Sequence, residues 1–117
     1  MINQVVIVGR LTSDVELLKS ENGTSYANMT VAVPRSFKNS EGIYETDFIP
    51  CSLLGSVAEN TAEYCKKGDM IGIKGRLKLN QFTDKETDKQ ISKMEVAAER
   101  ITFLTSKAKE EPDLERY

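Results

Sequence analysis

Histidine and tryptophan are absent from this chain of 117 residues, and cysteine occurs only twice. Without histidine, the chain lacks the commonest general base and the usual partner that activates a catalytic serine or cysteine. The sequence also contains no Walker-type glycine loop and no GxSxG turn. Carboxylate and lysine chemistry stay open, but these absences together predict a protein that is not an enzyme.

Long apolar runs and targeting signals are missing as well. The first residues, MINQVVIVGRLT, have neither the charged start nor the small-residue cleavage site of a signal peptide. No apolar stretch approaches the ~20 residues that cross a bilayer. We therefore expect a cytoplasmic protein in which Cys51 and Cys65 stay reduced. Because these cysteines have no paired ligands around them, we expect neither a zinc site nor any other cofactor.

Acidic residues slightly outnumber basic ones, so the net charge of −2 has the sign that disfavours a nucleic-acid partner. Residues 1–105 hold 13 Lys and Arg against 14 Asp and Glu, and residues 106–117 hold 3 against 4. The first of these segments is therefore almost neutral. The positions of its charges, rather than their sum, have to indicate what the protein binds.

The hydrophobic pattern predicts five strands, because apolar side chains recur with the periodicity of a strand in five separate segments. These segments are residues 2–11, 24–34, 45–54, 70–79 and 91–104. Asn22-Gly23 is a strong signal for a tight turn after the first strand. Pro34 predicts the end of regular pairing in the second strand, and Pro50 predicts a bulge or an edge position in the third.

One helix is predicted between the third and fourth strands, over residues 57–67. Ser56 and Glu59 have the spacing of a capping box, in which the serine accepts a bond from the first turn and the glutamate reaches back. Lys66 suits the negative end of the helix dipole, and Gly68 suits the position just after the helix. The helix boundaries are thus signalled at both ends.

This element order is that of the OB-fold, a five-stranded, partly open barrel that binds oligonucleotides or oligosaccharides. We therefore predict an all-β fold, a five-stranded OB-fold barrel with one helix between strands 3 and 4, over residues 1–105. Residues 106–117, SKAKEEPDLERY, are predicted to be a short, charged, disordered tail. The element order does not decide which ligand the barrel binds.

The segment IKGRLKLNQF places cations at alternate positions of the fourth strand. In a strand, every second side chain shares a face. One face carries a polar set, which is Lys74, Arg76, Lys78, Asn80 and, if the strand extends that far, Phe82. The other face is predicted to be core and carries Ile71, Ile73, Leu77 and Leu79. Residues 80–90 are predicted to form a protruding loop. In most strands with such an alternation, the cations only keep one face of the strand solvated. A phenylalanine beside the cations instead favours the interpretation that this face binds a ligand.

Three phenylalanines are predicted at the surface with cations nearby. Phe82 follows the cationic stripe, Phe37 lies in a polar hairpin at residues 35–44, and Phe48 faces away from the core side of the third strand. Single-stranded nucleic acid requires this pairing, because cations meet its phosphates while flat rings stack on its unpaired bases. Each ring alone is more often a core residue, whereas the three together favour binding. Three tyrosines are weaker indicators of ligand binding: Tyr26, Tyr44 and Tyr64. Each could be a core ring whose hydroxyl reaches the surface.

Four segments resemble bacterial-type single-stranded DNA-binding proteins. They are INQVVIVGRLTSDVEL, ETDFIPCSLLGSVAENTAEYCKKG, IKGRL and EVAAERITFL. The resemblance covers residues 1–104, and the motifs VGRLT, DFI, AEN and KKG at these spacings make it specific. It implies an OB-fold protomer of a homotetramer that wraps single-stranded DNA in replication, recombination and repair, at the nucleoid, without catalysis or metal.

The resemblance also implies which residues contact DNA. The family's base-stacking positions fall on Phe37, Phe48, Leu54 and Phe82. Its cationic contact positions fall on Arg10, Arg35, Lys66, Lys74, Arg76 and Lys78. Three stacking positions keep a ring, always phenylalanine rather than the tryptophan frequent in the family, and Leu54 has none. Because stacking contributes ~1–3 kcal/mol per base, we expect weaker binding per subunit than in tryptophan-rich relatives.

The last residues depart further from the family, which usually continues into a long linker and an acidic tip that docks replication and repair proteins. Here KEEPDLERY carries acids and a final Tyr117, but Arg116 interrupts them. Either the chain is a shortened variant, as would suit a phage or mobile element, or its recruitment of such proteins is lost or different. A second hypothesis is an OB-fold adaptor whose main contacts are with protein, which the near-neutral charge and the missing fourth ring favour.

Overall fold

Six strands and one helix succeed one another along residues 1–105, the part of the chain that this computed structural model describes. The elements are β1 (Val5–Leu11), β2 (Leu18–Lys19), β3 (Ser25–Lys38), β4 (Tyr44–Leu54), α1 (Ser56–Tyr64), β5 (Met70–Thr83) and β6 (Gln90–Thr105). β2 has only two residues and lies beside β3 at the end of the sheet. The five long strands form the barrel, so the predicted all-β OB-fold, with its helix between the third and fourth long strands, is confirmed.

The strands follow the order β1-β5-β6-β4-β3-β2, and an additional pairing of β1 with β3 closes the barrel. All neighbours are antiparallel except β4 and β6, which run parallel and pair only at Cys51↔Val96 and Ser52↔Ala97. Within residues 1–105, the part of β4 before Cys51 therefore has β3 as its only strand neighbour. Pro50 lies in this one-sided part of the strand, and its predicted edge position is confirmed.

The core forms where the inward-facing side chains of the long strands meet. The largest fully buried apolar side chains are Leu53, Ile71, Ile73, Val31 and Val96. Helix α1 packs against β3, β4 and β6 and buries Ala58 and Thr61. Gly75 lies where β5 and β6 shift register, and a Cβ there would come within 2.2 Å of the Ala97 carbonyl oxygen. Only glycine fits this close approach of the two backbones.

The β3–β4 hairpin is longer than the sequence indicates. β3 continues past Pro34 to Lys38, but its regular pairing with β4 ends at Pro34, as predicted. Pro34 still lies opposite Thr46, and the register shifts only between Pro34 and Lys38. Phe37 is consequently held on a strand rather than in a loose connection.

The β5–β6 hairpin also extends beyond its predicted ends. Both strands run further, so the connection shrinks from the predicted residues 80–90 to residues 84–89, and Phe82 pairs with Ile91. Leu77 and Leu79 are 44% and 51% exposed, and their prediction as core residues was wrong. The physical reason is the length of the strand, because this part of β5 lies beyond the buried pair Ile71 and Ile73. Among residues 1–105, no further layer covers its apolar side.

The start of α1 differs from the predicted capping box. Gly55 is the N-cap residue, with a φ of 64°, and no side chain of residues 1–105 caps the first turn. The Glu59 carboxylate instead accepts a hydrogen bond of 3.3 Å from the Ser25 hydroxyl. Ser56 is already the first helical residue, so the capping-box prediction was wrong. The positive φ that the turn out of β4 requires explains why glycine stands there.

The helix ends at Tyr64, three residues before its predicted end. Beyond it, the Lys66 N–H donates to the Asp69 carboxylate at 2.9 Å, and the Gly68 N–H donates to the Leu11 carbonyl at 2.9 Å. These bonds turn the chain into β5 instead of extending the helix. Gly68, with a φ of 91°, therefore belongs to that turn.

No helix within residues 1–105 has the length and apolar character of a membrane span. The predicted tail, residues 106–117, lies outside the described residues.

Candidate nucleic-acid interface

The four predicted stacking positions all lie at the surface. Phe37, Phe48 and Leu54 are 66%, 65% and 65% exposed, and Phe82 is 45% exposed. Phe37 lies near the end of β3, Phe48 and Leu54 lie on β4, and Phe82 lies near the end of β5. All four side chains are therefore accessible to a ligand.

The outward side of β4 is an uncharged strip. Along this strand Ile49, Cys51 and Leu53 face the core, as predicted, whereas the outward strip consists of Phe48, Pro50, Ser52 and Leu54. Pro50 and Phe82 line one cleft of about 590 Å³. The cleft therefore joins the outward strip of β4 to the ring of the β5–β6 hairpin.

This cleft, called here the Phe82 cleft, has the size of a small-ligand pocket, ~300–1,000 Å³. Its lining residues are Pro50, Asn80, Gln81, Phe82, Lys93, Met94 and Glu95. The Lys93 ammonium lies 5.8 Å from the centroid of the Phe82 ring, a cation–π contact. Sequence reasoning missed Lys93, which lies opposite Asn80 across the hairpin; the pairing register, which would reveal it, was not predicted.

The cationic stripe of β5 is electrostatically available. Lys74 and Arg76 are exposed and Lys78 is half-buried. None of these three side chains forms an ion pair with any of residues 1–105. Cations without an internal carboxylate partner are free to neutralise phosphates and release counterions.

Arg35 is in a different situation, because two carboxylates hold its guanidinium. Arg35 Nε lies 3.2 Å from both Asp47 carboxylate oxygens, Arg35 Nη2 lies 3.0 Å from Asp47 Oδ1, and Arg35 Nη1 lies 2.7 Å from Glu45 Oε2. These bonds hold the pKa of the Asp47 carboxyl below its ordinary value. They also raise the pKa of Arg35. The network joins β3 to β4 in the segment where the register shifts, between Pro34 and Lys38.

The remaining two predicted cations lie far from the Phe82 cleft. Arg10 pairs with Met70 at the start of β5, and its Nη1 donates to the Gly68 carbonyl at 3.0 Å. Lys66 is exposed and lies in the turn that precedes the same end of β5. Phe82 is at the opposite end of that strand. The structure thus separates the predicted cations into two groups along β5.

The two cysteines have unreactive thiols. Cys51 and Cys65 are buried and unpaired, and burial raises the pKa of each thiol to about 11. Both sulfurs are therefore protonated at neutral pH and weak as nucleophiles. Among residues 1–105, no cluster of three or more His, Cys, Asp or Glu is arranged to hold a metal ion.

Of the three tyrosines within residues 1–105, two are exposed. Lys38 Nζ lies 5.6 Å from the Tyr44 ring centroid, in the same hairpin as Phe37. Tyr64 lies on α1 and contacts Phe103, with ring centroids 6.0 Å apart, away from the Phe82 cleft. Tyr26 is half-buried. Tyr44 is thus a further exposed ring with a cation beside it, which its sequence context alone did not single out.

A barrel with this strand order, bearing exposed rings and available cations on its outward hairpins, places the chain in the class of OB-fold binding proteins. Residues 2–104 match the family model of the single-strand binding protein family, and the chain belongs to this family.

Similar proteins carry related names. Single-stranded DNA-binding protein B of Bacillus subtilis (strain 168) is 41% identical over 110 residues, which cover 94% of this chain and 96% of that protein. The single-stranded DNA-binding protein of Oceanobacillus iheyensis is 43% identical over 107 residues, 92% of this chain and 66% of that protein. That of Halalkalibacterium halodurans is 44% identical over 104 residues, 89% of this chain and 61% of that protein. The chain thus spans nearly all of one relative and about two thirds of the others.

Proposed function

We propose that this protein binds single-stranded DNA without sequence preference overall, stacking bases on its exposed rings and holding phosphates with its lysines and arginines. The observation that carries the proposal is the Phe82 cleft, where the ring of one hairpin meets the outward strip of β4. Stacking on an aromatic ring depends little on the DNA sequence, because every base has a flat π-face. Membership of the single-strand binding protein family supports the same function.

The proposal gives the contact residues two roles. The stacking surface consists of Phe37, Phe48, Phe82 and, as an apolar contact without a ring, Leu54. The phosphate contacts are Arg10, Lys66, Lys74, Arg76 and Lys78. Arg35 was expected in the second group, but Glu45 and Asp47 already hold its guanidinium, so it contributes to phosphate binding only when it leaves them.

In the cell, we propose that the protein coats and protects single-stranded DNA during replication, recombination and repair, in the cytoplasm at the nucleoid. This role needs no catalytic step and no cofactor, since stacking and charge neutralisation supply the binding free energy. Docking of replication and repair proteins by an acidic tip would depend on residues 106–117, outside the described part of the chain.

We further propose that the protomers assemble into a homotetramer, and the outer edge of β1 supports this. β1 pairs with β5 from Val5 to Arg10, but with β3 only at Arg10 and Leu11. Within residues 1–105, the other edge of the strand before Arg10 thus has no strand partner. Val6 on this strand is 74% exposed and Val8 is exposed as well. An open edge with exposed valines is suited to pair with the same edge of a second copy, a two-fold contact that forms a dimer; a second two-fold contact between two such dimers would complete the tetramer.

Titration of a fluorescent oligo-dT with the protein, beside a duplex of equal length, tests the proposed function. We expect the single strand to bind far better than the duplex, because paired bases are not available for stacking. The logarithm of the affinity for oligo-dT should fall with the logarithm of the salt concentration by ~0.7 per phosphate neutralised. Equal binding of duplex and single strand, or no dependence on salt, would contradict the proposal.

An adaptor function is the second candidate, and the open edge of β1 favours it over any enzymatic function. Light scattering with and without oligo-dT separates the two. A tetramer that takes up DNA supports the binding protein, whereas a stable dimer with poor DNA affinity supports the adaptor. Val6→Lys places a charge on the open edge, and we expect it to dissociate the assembly. An unchanged mass for this variant would show that the assembly uses another surface.

A further inference from the structure

The Phe82 cleft contains a carboxylate, which is unexpected in a surface that meets a polyanion. Glu95 lies on β6, is half-buried, and lines the cleft together with Asn80 of β5. The two side chains are hydrogen-bonded, with Asn80 Nδ2 donating to Glu95 Oε1. A carboxylate repels phosphate, so Glu95 is suited to a different part of a bound nucleotide.

The orientation of this pair follows from its chemistry. An ionised carboxylate only accepts hydrogen bonds, so the Asn80 amide must turn its NH₂ group towards Glu95 and keep its carbonyl oxygen for another partner. Within residues 1–105, neither Asn80 Oδ1 nor Glu95 Oε2 has a hydrogen-bond partner. The Phe82 cleft therefore holds two unused acceptors beside a stacking ring.

Two acceptors beside a ring discriminate between bases. Cytosine N4 and adenine N6 are amino groups that donate to carboxylate and amide oxygens, whereas thymine presents a carbonyl oxygen, O4, at the corresponding position. A thymine in the same pose would turn this oxygen towards the Glu95 carboxylate. The arrangement thus favours a base that carries an exocyclic amino group.

We propose that the Phe82 cleft is a base-recognition subsite, in which Glu95 and Asn80 accept hydrogen bonds from the amino group of one base stacked on Phe82. At this one position cytosine or adenine is favoured over thymine, while the other rings stay tolerant of sequence. The inference rests on the proposed function, because it assumes that single-stranded DNA occupies the cleft.

Lys93 makes the subsite compatible with a polyanion. Its ammonium lies beside the Phe82 ring, and Lys93 is paired with Asn80 across the hairpin. It forms no ion pair with any of residues 1–105. The positive charge therefore offsets that of Glu95 within the cleft and remains available for the phosphate of the stacked nucleotide.

Glu95→Gln tests the inference, with Glu99→Gln as the matched control. Both variants remove one negative charge from β6, but Glu99 is exposed and lines a different cleft, beside α1. Oligo-dC and oligo-dT of about 16 nucleotides, the upper site size of one OB-fold, are titrated with each protein. Because both are pyrimidine homopolymers, the ratio of their affinities isolates base-edge contacts.

We expect the affinity ratio of oligo-dC to oligo-dT to fall about fivefold in Glu95→Gln, the effect of one net hydrogen bond. In Glu99→Gln both affinities should rise together and their ratio should stay unchanged. Asn80→Ala, which removes the other acceptor, should lower the ratio as well. It also serves as the test if thermal melting shows that Glu95→Gln does not fold.

Three results would overturn the inference. An unchanged ratio in the folded Glu95→Gln and Asn80→Ala proteins, with both oligonucleotides still bound, would reject the subsite and leave the proposed function standing. A fall in the oligo-dC to oligo-dT affinity ratio of Glu99→Gln as large as that of Glu95→Gln would show that the effect comes from the lost charge and not from the subsite. Failure of wild-type protein to bind either oligonucleotide would reject the proposed function itself.

Discussion

The β3–β4 hairpin and the β5–β6 hairpin both carry exposed phenylalanines beside cations, but they use those cations differently. On β3–β4, two carboxylates hold the guanidinium of Arg35. On β5, none of the three stripe cations has a carboxylate partner among residues 1–105. The same pattern of ring and cation therefore gives exposed rings beside a neutralised cation in one hairpin and an exposed ring beside available charge in the other.

The difference has a local cause. Strand β4 brings Glu45 and Asp47 alongside β3, where its register shifts, and Arg35 bridges both acids. The residues opposite the β5 stripe are instead Arg100, Ala97 and Glu95, and Glu95 is hydrogen-bonded to Asn80. We infer that Arg35 mainly positions the strand that carries Phe37, while the β5 stripe meets the DNA backbone.

Removal of a ring should have the largest effect. Phe48→Ala and Phe82→Ala should each lower the affinity for oligo-dT by ~1–3 kcal/mol, because each removes one base-stacking surface. Tyr64→Ala is the control, since its exposed ring lies on α1 away from the Phe82 cleft. Fluorescence titration measures all three. If Tyr64→Ala lost as much affinity for oligo-dT as the other two variants, the hairpin rings would be no more important for binding than an exposed ring elsewhere on the surface.

Addition of a ring should strengthen the β4 platform. Leu54 ends the outward strip and is exposed, so Leu54→Trp places a ring where no buried neighbour is displaced. We expect a gain in affinity for oligo-dT of ~1 kcal/mol, the lower end of one stacking contact, and a new tryptophan fluorescence that DNA quenches. Quenching without any gain in affinity would show that the position contacts DNA but adds no stacking free energy.

The salt dependence of binding should separate the two hairpins directly. Arg76→Ala should reduce the slope of log affinity against log salt by ~0.7, the effect of one phosphate contact on a single strand. Arg35→Ala should reduce it much less, because Glu45 and Asp47 already neutralise that guanidinium. Equal reductions of the salt slope in the two variants would contradict the comparison between the hairpins. They would show that Arg35 contacts phosphate as Arg76 does.

Release of Arg35 should have the smallest effect. Asp47→Asn removes one of its two carboxylates, so we expect a small gain in affinity for oligo-dT and a steeper salt dependence. Unchanged binding would indicate that Glu45 alone retains the guanidinium.

The same ion pair should make a small, pH-dependent contribution to stability. Arg35 holds the pKa of Asp47 below its ordinary value, so the pair stabilises the fold above the unfolded-state pKa of ~3.9. This contribution is lost as the pH falls through the lower folded-state pKa. Denaturant unfolding of wild type and Asp47→Asn at neutral and acid pH measures it. A stability difference that grew on acidification would have the wrong sign.

Features governed by strand periodicity could be predicted from the sequence. The alternation in β4 places Phe48 outwards and Leu53 inwards, and the structure agrees. The same alternation misplaced Leu77 and Leu79, because periodicity gives the face of a strand but not whether another layer covers it. The contact between residues and DNA stays a prediction at every site position.

Features governed by pairing between distant strands could not be predicted. Arg35 meets Asp47, and Lys93 meets the Phe82 ring, through the registers of two hairpins. Register depends on turn geometry and on shifts such as the one after Pro34. Ser56 was misread for a local reason, because Gly55, with its positive φ, takes the N-cap position and Ser56 is the first helical residue.

The location of bound DNA tests the central claim most directly. Oligo-dT substituted with bromodeoxyuridine is bound, irradiated and digested, and mass spectrometry identifies the residues to which it is crosslinked. We predict crosslinks at Phe48 and Phe82, with Phe37 as a further site. Crosslinks confined to Tyr64 and Phe103, on the α1 side of the barrel, would contradict the assignment of both hairpins to the DNA-binding surface.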